Sequence, residues 1–113
     1  MPGGAEVRKI VTVTVDRKMG TFHPEHPDIF YEINYGYISG IPAGDGEEQD
    51  AYIIGVEVPL DSFTGEVIAV IHRKNDVEDK WVVSPPGSHF DREEIQKLTH
   101  FQEKYFDTEI EML

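Results

Sequence analysis

Glycine and proline punctuate this chain from Gly20 to Gly87, and most of the segments between them are short and rich in β-branched residues. Proline removes a backbone donor and glycine weakens a helix interior, so such a pattern disfavours helices over that span. Arg8 to Val15 (RKIVTVTV) alternates and reads as a strand. Asp16 to Asp28 carries Gly20, Pro24 and Pro27 and reads as a loop. Ile29 to Ile38 reads as extended and aromatic, with Gly36 permitting a bend or a close approach. Ser39 to Gln49 reads as a loop, and Asp50 to Val58 as a strand with Gly55 a candidate bulge. Glu66 to Arg73 (EVIAVIHR) is nearly all apolar in its middle and reads as a central strand. Lys80 to Val83 reads as another strand, ended by Pro85, Pro86 and Gly87.

Only the last quarter has helical spacing. Asp91 followed by Glu94 resembles a capping box, and Ile95, Leu98, Phe101 and Tyr105 recur every three or four residues, which predicts a helix from Asp91 to Phe106. Four or five short strands followed by one helix predict a mainly β (α+β) domain, a small five-stranded barrel with a C-terminal helix packed on it. The 113 residues fit one domain over 1–113, with 1–7 read as a frayed terminus. Cysteine is absent, so disulfides and thiolate metal sites are excluded. The chain has no apolar stretch approaching the ~20 residues that span a bilayer, and its start lacks an apolar signal core. These features predict a soluble, cytoplasmic protein. A formal charge of −12 argues against nucleic acid and anionic membranes as partners and favours cations.

Two acidic clusters carry the candidate chemistry. Asp45-Gly46-Glu47-Glu48-Gln49-Asp50 places four carboxylates in a glycine-containing loop that enters a strand. Like charges this close repel unless water or cations screen them, so Asp50→Asn is expected to cost little stability. Hard divalent cations take oxygen ligands of this kind. Asn75-Asp76-Val77-Glu78-Asp79-Lys80 is the second cluster, between two predicted strands. Alone, each also reads as a solvated turn. If both lie at one rim of a barrel, they form a shared multi-metal site, with Lys80 available to an anionic substrate. The tyrosines of Phe30–Tyr37 read as core residues or as hydroxyl donors. Zinc-type histidine spacings, P-loop, GxGxxG and GxSxG motifs are all missing, which disfavours zinc enzymes, P-loop NTPases, Rossmann dehydrogenases and α/β-hydrolases.

The stretch FYEINYGYISGIPAGDGEEQD, Phe30 to Asp50, resembles the family I inorganic pyrophosphatases, with their Tyr-Pro-x-Asn-Tyr-Gly-Tyr/Phe-Ile segment followed by Asp-Gly-Asp-Pro-x-Asp. EDKWVVSP and HFQEKYF resemble two further stretches of that family, and the likeness covers most of residues 29–106. The resemblance implies an OB-like barrel, several Mg²⁺ ions per site, inorganic pyrophosphate as substrate, and a homo-oligomer. It implies Asp45 and Asp50 as metal ligands, Asp76 as another, and a further one at either Glu78 or Asp79. Strand alternation favours Glu78, which shares a face with Lys80; residue identity favours Asp79. Glu47 stands where the family has the Asp that helps deprotonate water. Tyr35, Lys80 and Tyr105 would face the phosphates.

The chain departs from the family in several places. Glu47 is one methylene longer than Asp, Glu32 replaces Pro, and Phe106 stands where the family usually has a phosphate-binding Lys. A hairpin that usually supplies a Lys, a Glu and an Arg is missing. Arg17 and Lys18 are its nearest substitutes, with His72, Arg73 and Lys74 at the other rim. These losses keep two alternatives open: hydrolysis of another phosphoanhydride, such as polyphosphate or a nucleotide, and a catalytically weak metal- or phosphate-binding module.

Overall fold

A computed structural model describes residues 8–44, 46–74 and 78–113. The expectation of a frayed terminus at 1–7 lies outside the described residues. Six strands and one helix follow in the order β1 (Ile10–Arg17), β2 (Asn34–Pro42), β3 (Glu48–Ile53), β4 (Ser62–Arg73), β5 (Asp79–Ser84), α1 (Arg92–Glu103) and β6 (Thr108–Met112). The first five close into a barrel in the order β1-β2-β3-β5-β4, sealed by β1–β4 pairing. β3 and β5 run parallel, and the other pairs are antiparallel. The expected mainly β, OB-like barrel with a C-terminal helix is therefore present.

Closure depends on the length of β4. Its first residues, Ser62–Glu66, pair with β1, while Ala69–Arg73 on the same edge pair with β6. β6 was not anticipated. Its alternation, Thr108-Glu109-Ile110-Glu111-Met112, is short and acidic, and it is held because β4 offers an unpaired edge beyond β1.

Every barrel strand supplies side chains to the interior: Val11, Val13 and Val15 from β1, Ile38 from β2, Ala51 and Ile53 from β3, Val67 from β4 and Val83 from β5. The intervening residues of β3, β4 and β5 are apolar too. Tyr52, Ile68, Ile71 and Val82 point outward and are buried with Ile95 and Phe101 of α1. Burial on both faces explains why these strands lack a clean polar alternation. β1 is covered on one face only and alternates strictly between exposed and buried.

The Asp91 carboxylate accepts from the Glu94 N–H at 2.8 Å, and the Asp91 N–H donates to Glu94 Oε1 at 3.0 Å, so the expected capping box is formed. The helix ends at Glu103 rather than Phe106. Tyr105 and Phe106 close a tighter turn, their N–H groups donating to the carbonyls of Gln102 and Glu103. Gly55 sits at φ +85° after the end of β3 rather than in a bulge within it. The 39–49 segment is largely strand, β2 running on to Pro42 and β3 starting at Glu48. Gly36 is the close-approach glycine: a Cβ there would lie 1.9 Å from the Thr14 carbonyl oxygen of β1.

Candidate active site

Parallel pairing of β3 and β5 determines where the chemistry collects. The segments that enter two parallel neighbours lie at the same end of a sheet. Glu48–Asp50 and Glu78–Lys80 lie at those entries, and the Gln49 amide ties them together by donating to the Asp79 carbonyl at 2.6 Å. Along the outer face, period-two alternation then carries the pattern from apolar to charged. On β3, Tyr52 lies under α1 and Asp50 lies beyond it; on β5, Val82 and Lys80 repeat this; on β4, Ile71 and Arg73 do so. The charged ends emerge where the helix stops.

There a cleft of about 520 Å³ opens. Asp16 and Arg17 at the end of β1, Tyr35 of β2, Asp50 of β3 and Arg73 of β4 line it. His23, His26 and Asp28 of the loop after β1 contribute, as do Gln102, Tyr105 and Phe106 at the end of α1.

Lys80 is buried, 3% exposed, beside this cleft. Its Nζ donates to Asp50 Oδ2 at 2.6 Å and Glu78 Oε1 at 3.1 Å, and lies 5.8 Å from the Tyr35 ring centre. Two carboxylates from separate strand entries thus share one cation. Asp79 points the other way, its carboxylate 3.1 Å from His72 Nδ1. Of the two candidates, Glu78 is the one brought to Asp50. Asp50 is therefore not merely one member of a repelling cluster, and the expectation that Asp50→Asn costs little stability does not survive its contact with Lys80.

Burial, and next the charge of Asp50, hold the Tyr35 phenol well above its ordinary range, so it remains an O–H donor. Burial also raises the Asp16 carboxyl, against the lowering effect of Arg17. Arg17 Nη1 lies 3.6 Å from Asp16, while its Nε is buried without a hydrogen-bond partner. Arg17 itself lines the cleft, so its guanidinium charge suits an anion there. The His23 imidazole is pushed down by burial and by His26 beside it, and its Nδ1 accepts from the Glu25 N–H at 3.0 Å. That bond leaves the hydrogen of the neutral ring on Nε2.

Of the residues expected from sequence, Arg17, Tyr35, Asp50 and Tyr105 line the cleft, and Lys80 and Glu78 join through Asp50. Glu47 is exposed in the turn before β3, where its carbonyl accepts from the Ala43 N–H at 2.7 Å, and is not among the described lining residues. Asp45 and Asp76 lie outside the described residues. Asp16, His23, His26 and Asp28 were not singled out as site residues, although the HPEHPD run is a concentration of polar groups available to a sequence reader.

Among the described residues no three His, Asp or Glu side chains stand close enough to share a metal ion. Asp50 and Glu78 nonetheless converge on the Lys80 ammonium, an all-oxygen donor pair already holding a positive charge. That donor chemistry fits a hard divalent cation.

No protein-family model and no curated protein sequence matches the chain. Solved structures do. The inorganic pyrophosphatase from Ehrlichia chaffeensis superposes with a TM-score of 0.71 at 19% identity, over 99% of this chain and 91% of that one. The fold is that of the inorganic pyrophosphatases. The enzyme from Thermus thermophilus gives 0.61 at 15% identity, over 98% of this chain and 85% of that one. The enzyme from Neisseria gonorrhoeae gives 0.58 at 20% identity, over 85% and 73%. These likenesses establish the architecture.

Proposed function

We propose that this chain is a Mg²⁺-dependent inorganic pyrophosphatase. The observation that carries the reading is a cleft of a pyrophosphatase fold lined by Arg17, Tyr35 and Asp50, with Lys80 beside it holding Asp50 and Glu78, carboxylates from two strand entries. Carboxylates alone would repel a diphosphate, and cations alone would not favour metal. Asp50 and Glu78 are the described ligand candidates, joined by Asp45 and Asp76 on the resemblance; Glu78 replaces Asp79 in the assignment. Bound Mg²⁺ supplies charge neutralisation and activation of water.

The protein groups have separable tasks. Arg17, on the cleft lining, offers its guanidinium to a phosphate oxygen, and Tyr35, kept protonated by burial, offers its hydroxyl. Tyr105 presents a second hydroxyl at the end of α1. Asp50 and Glu78 would hold the cation, and Lys80, now bonded to both, would then be available to a phosphate oxygen. On the resemblance, Glu47, in the turn leading to Asp50, is the group that would accept the proton of the attacking water. The water oxygen bonds to one phosphorus as the bridging P–O bond breaks. Its electron pair leaves with the second phosphate, and two phosphates result.

A cytoplasmic location and assembly of several copies belong to the same reading, and light scattering tests the assembly. No described helix is long and apolar enough to cross a membrane. The deciding experiment measures phosphate release from pyrophosphate, tripolyphosphate and ATP, with and without MgCl₂. Release from pyrophosphate that exceeds the others and requires Mg²⁺ is expected. Background release from all three substrates in MgCl₂, alongside measurable binding of the ion, would mean a binding module instead.

A further inference from the structure

We infer that the cleft is a nucleotide site, in which His23 and His26 receive the base of a nucleoside di- or triphosphate whose phosphates lie at the Arg17, Tyr35 and Lys80 end; the inference rests on the diphosphate reading of that end. At about 520 Å³ the cleft falls within the range of about 300–1,000 Å³ that encloses a drug-sized molecule, and two linked phosphates fill only a small part of it. Its wall carries a row of rings. The centres of His26 and His23 are 4.8 Å apart, those of His23 and Tyr31 6.3 Å apart and nearly parallel at 20°, and those of Tyr31 and Tyr35 5.8 Å apart. Tyr35 then meets the Lys80 ammonium, 5.8 Å from its ring centre. The row runs from imidazoles at one end to fixed charge at the other, which is the polarity of a nucleotide.

The main chain holds the imidazole end in place. Residues 20–31 fold back as a hairpin: the Gly20 N–H donates to the Tyr31 carbonyl and the Tyr31 N–H to the Thr21 carbonyl, both at 2.8 Å. The His23 N–H donates to the Ile29 carbonyl at 2.9 Å, and the Ile29 N–H closes the tip onto the His26 carbonyl at 2.9 Å. Pro24 and Pro27 fix φ within that tip. These bonds are between backbone groups and ask for no imidazole at position 26. Yet His26 is exposed and His23 half-buried, and both line the cleft. A core role accounts for neither ring.

The chemistry of this end favours a base over a further phosphate. Burial, and next the His26 ring beside it, lower the His23 pKa, so at pH 7 its ring is neutral and presents a π-face rather than a charge. Asp28, whose charge reaches His23, lines the cleft as well. Its carboxylate repels phosphate but accepts from the exocyclic amine of a base. Bases stack on histidine as they do on other aromatic side chains.

Calorimetric titration in MgCl₂ with α,β-methylene-ADP and with methylenediphosphonate, its base-free counterpart, tests this, with the melting temperature of each variant as the control. Neither compound can be cut between its two phosphorus atoms. His26→Ala removes the exposed ring and is expected to weaken the nucleotide analogue about fivefold or more, the lower end of what one base–ring stack contributes, with little change for methylenediphosphonate. His26→Phe keeps a ring without an N–H and is expected to bind the nucleotide analogue within about twofold of the parent. His23→Asn keeps an acceptor for the Glu25 N–H but loses the ring; it is expected to weaken the nucleotide analogue likewise, and serves if His26→Ala does not fold. Parent-like nucleotide affinity in folded His26→Ala, or in folded His23→Asn, overturns the inference. Equal weakening of both ligands in His26→Ala also overturns it, as does a His26→Phe that binds as weakly as His26→Ala, since either means that the imidazole meets phosphate. If the parent binds methylenediphosphonate but not the nucleotide analogue, this inference falls and the diphosphate reading stands; if it binds neither, both fall. If nucleotide binding follows the rings as expected but the parent releases no phosphate from pyrophosphate, the hydrolysis reading falls and this one stands.

Discussion

Lys80→Met should make the stability of this protein depend on divalent cations. The Lys80 side chain is 4% exposed, and the side chains of its partners, Asp50 and Glu78, are each 28% exposed. Removing one member of a fully buried pair costs about 3–5 kcal/mol, because the remaining charge is left unpaired. Here the two carboxylates retain some access to water, which reduces the cost to about 2 kcal/mol. For a domain of this size that is about 8–16 °C in melting temperature. A methionine fills most of the space of the lysine stem, so packing changes little. The two carboxylates left without their ammonium should then take up Mg²⁺ more strongly than the parent. An ion at 100 times its dissociation constant stabilises by about 2.7 kcal/mol, enough to restore the loss. Differential scanning calorimetry of both proteins with EDTA and with MgCl₂ measures this. The reasoning fails if Lys80→Met melts within about 2 °C of the parent in EDTA. It fails equally if MgCl₂ raises the melting temperature of both proteins by the same amount.

Gly36→Ala should destabilise the barrel by about 3 kcal/mol or prevent folding, since the new methyl would meet the β1 backbone at 1.9 Å; circular dichroism of the expressed variant reads this. Ile95→Ala, at the fully buried contact of α1 with the barrel, should cost about 2–5 kcal/mol in a urea titration. His72 joins three strands, with Nε2 2.7 Å from Glu111 of β6 and Nδ1 3.1 Å from Asp79 of β5. The hydrogen bond to Glu111 raises its folded pKa, against a smaller lowering by burial, and Asp79 adds to the rise. The stability it contributes is therefore fully present below its unfolded pKa of about 6.5 and is lost as pH rises through the higher folded value. The difference in urea midpoint between the parent and His72→Gln should shrink across that window; a difference constant with pH would contradict it.

The barrel and its helix were legible because their signals are local. Alternation in β1, the apolar run in β4 and the Asp91–Glu94 capping box each report on a few neighbouring residues. β6 was missed because a short acidic strand persists only through the edge it pairs with, and that edge is not visible in its own residues. The helix stops short of its expected end because the spacing of Tyr105 continues the apolar stripe while the chain there turns to bring Phe106 over Arg73. In the site, Asp50 and Glu78 come to one end of the sheet because β3 and β5 pair in parallel, a relation that neither segment's own residues signal. Alternation separates Glu78 from Asp79, and the two carboxylates do point apart, Glu78 to Lys80 and Asp79 to His72. Asp16 and the His23–Asp28 loop carried no expected role because their importance comes from where β1 ends relative to α1, a relation between distant parts of the chain.

Because Asp50 and Tyr52 share one face of β3 while Ala51 and Ile53 share the other, insertions and deletions have unequal consequences along this chain. Adding one residue between Asp50 and Tyr52 would turn a carboxylate into the barrel or a tyrosine away from the helix, so scaffold and chemistry would fail together. Length changes in the turn at Gly87 or in the 23–28 loop leave that alternation intact. Engineering of this protein toward larger phosphate compounds should therefore begin at His23–Asp28, where the wall of the cleft can be lengthened without disturbing the strand order beneath it.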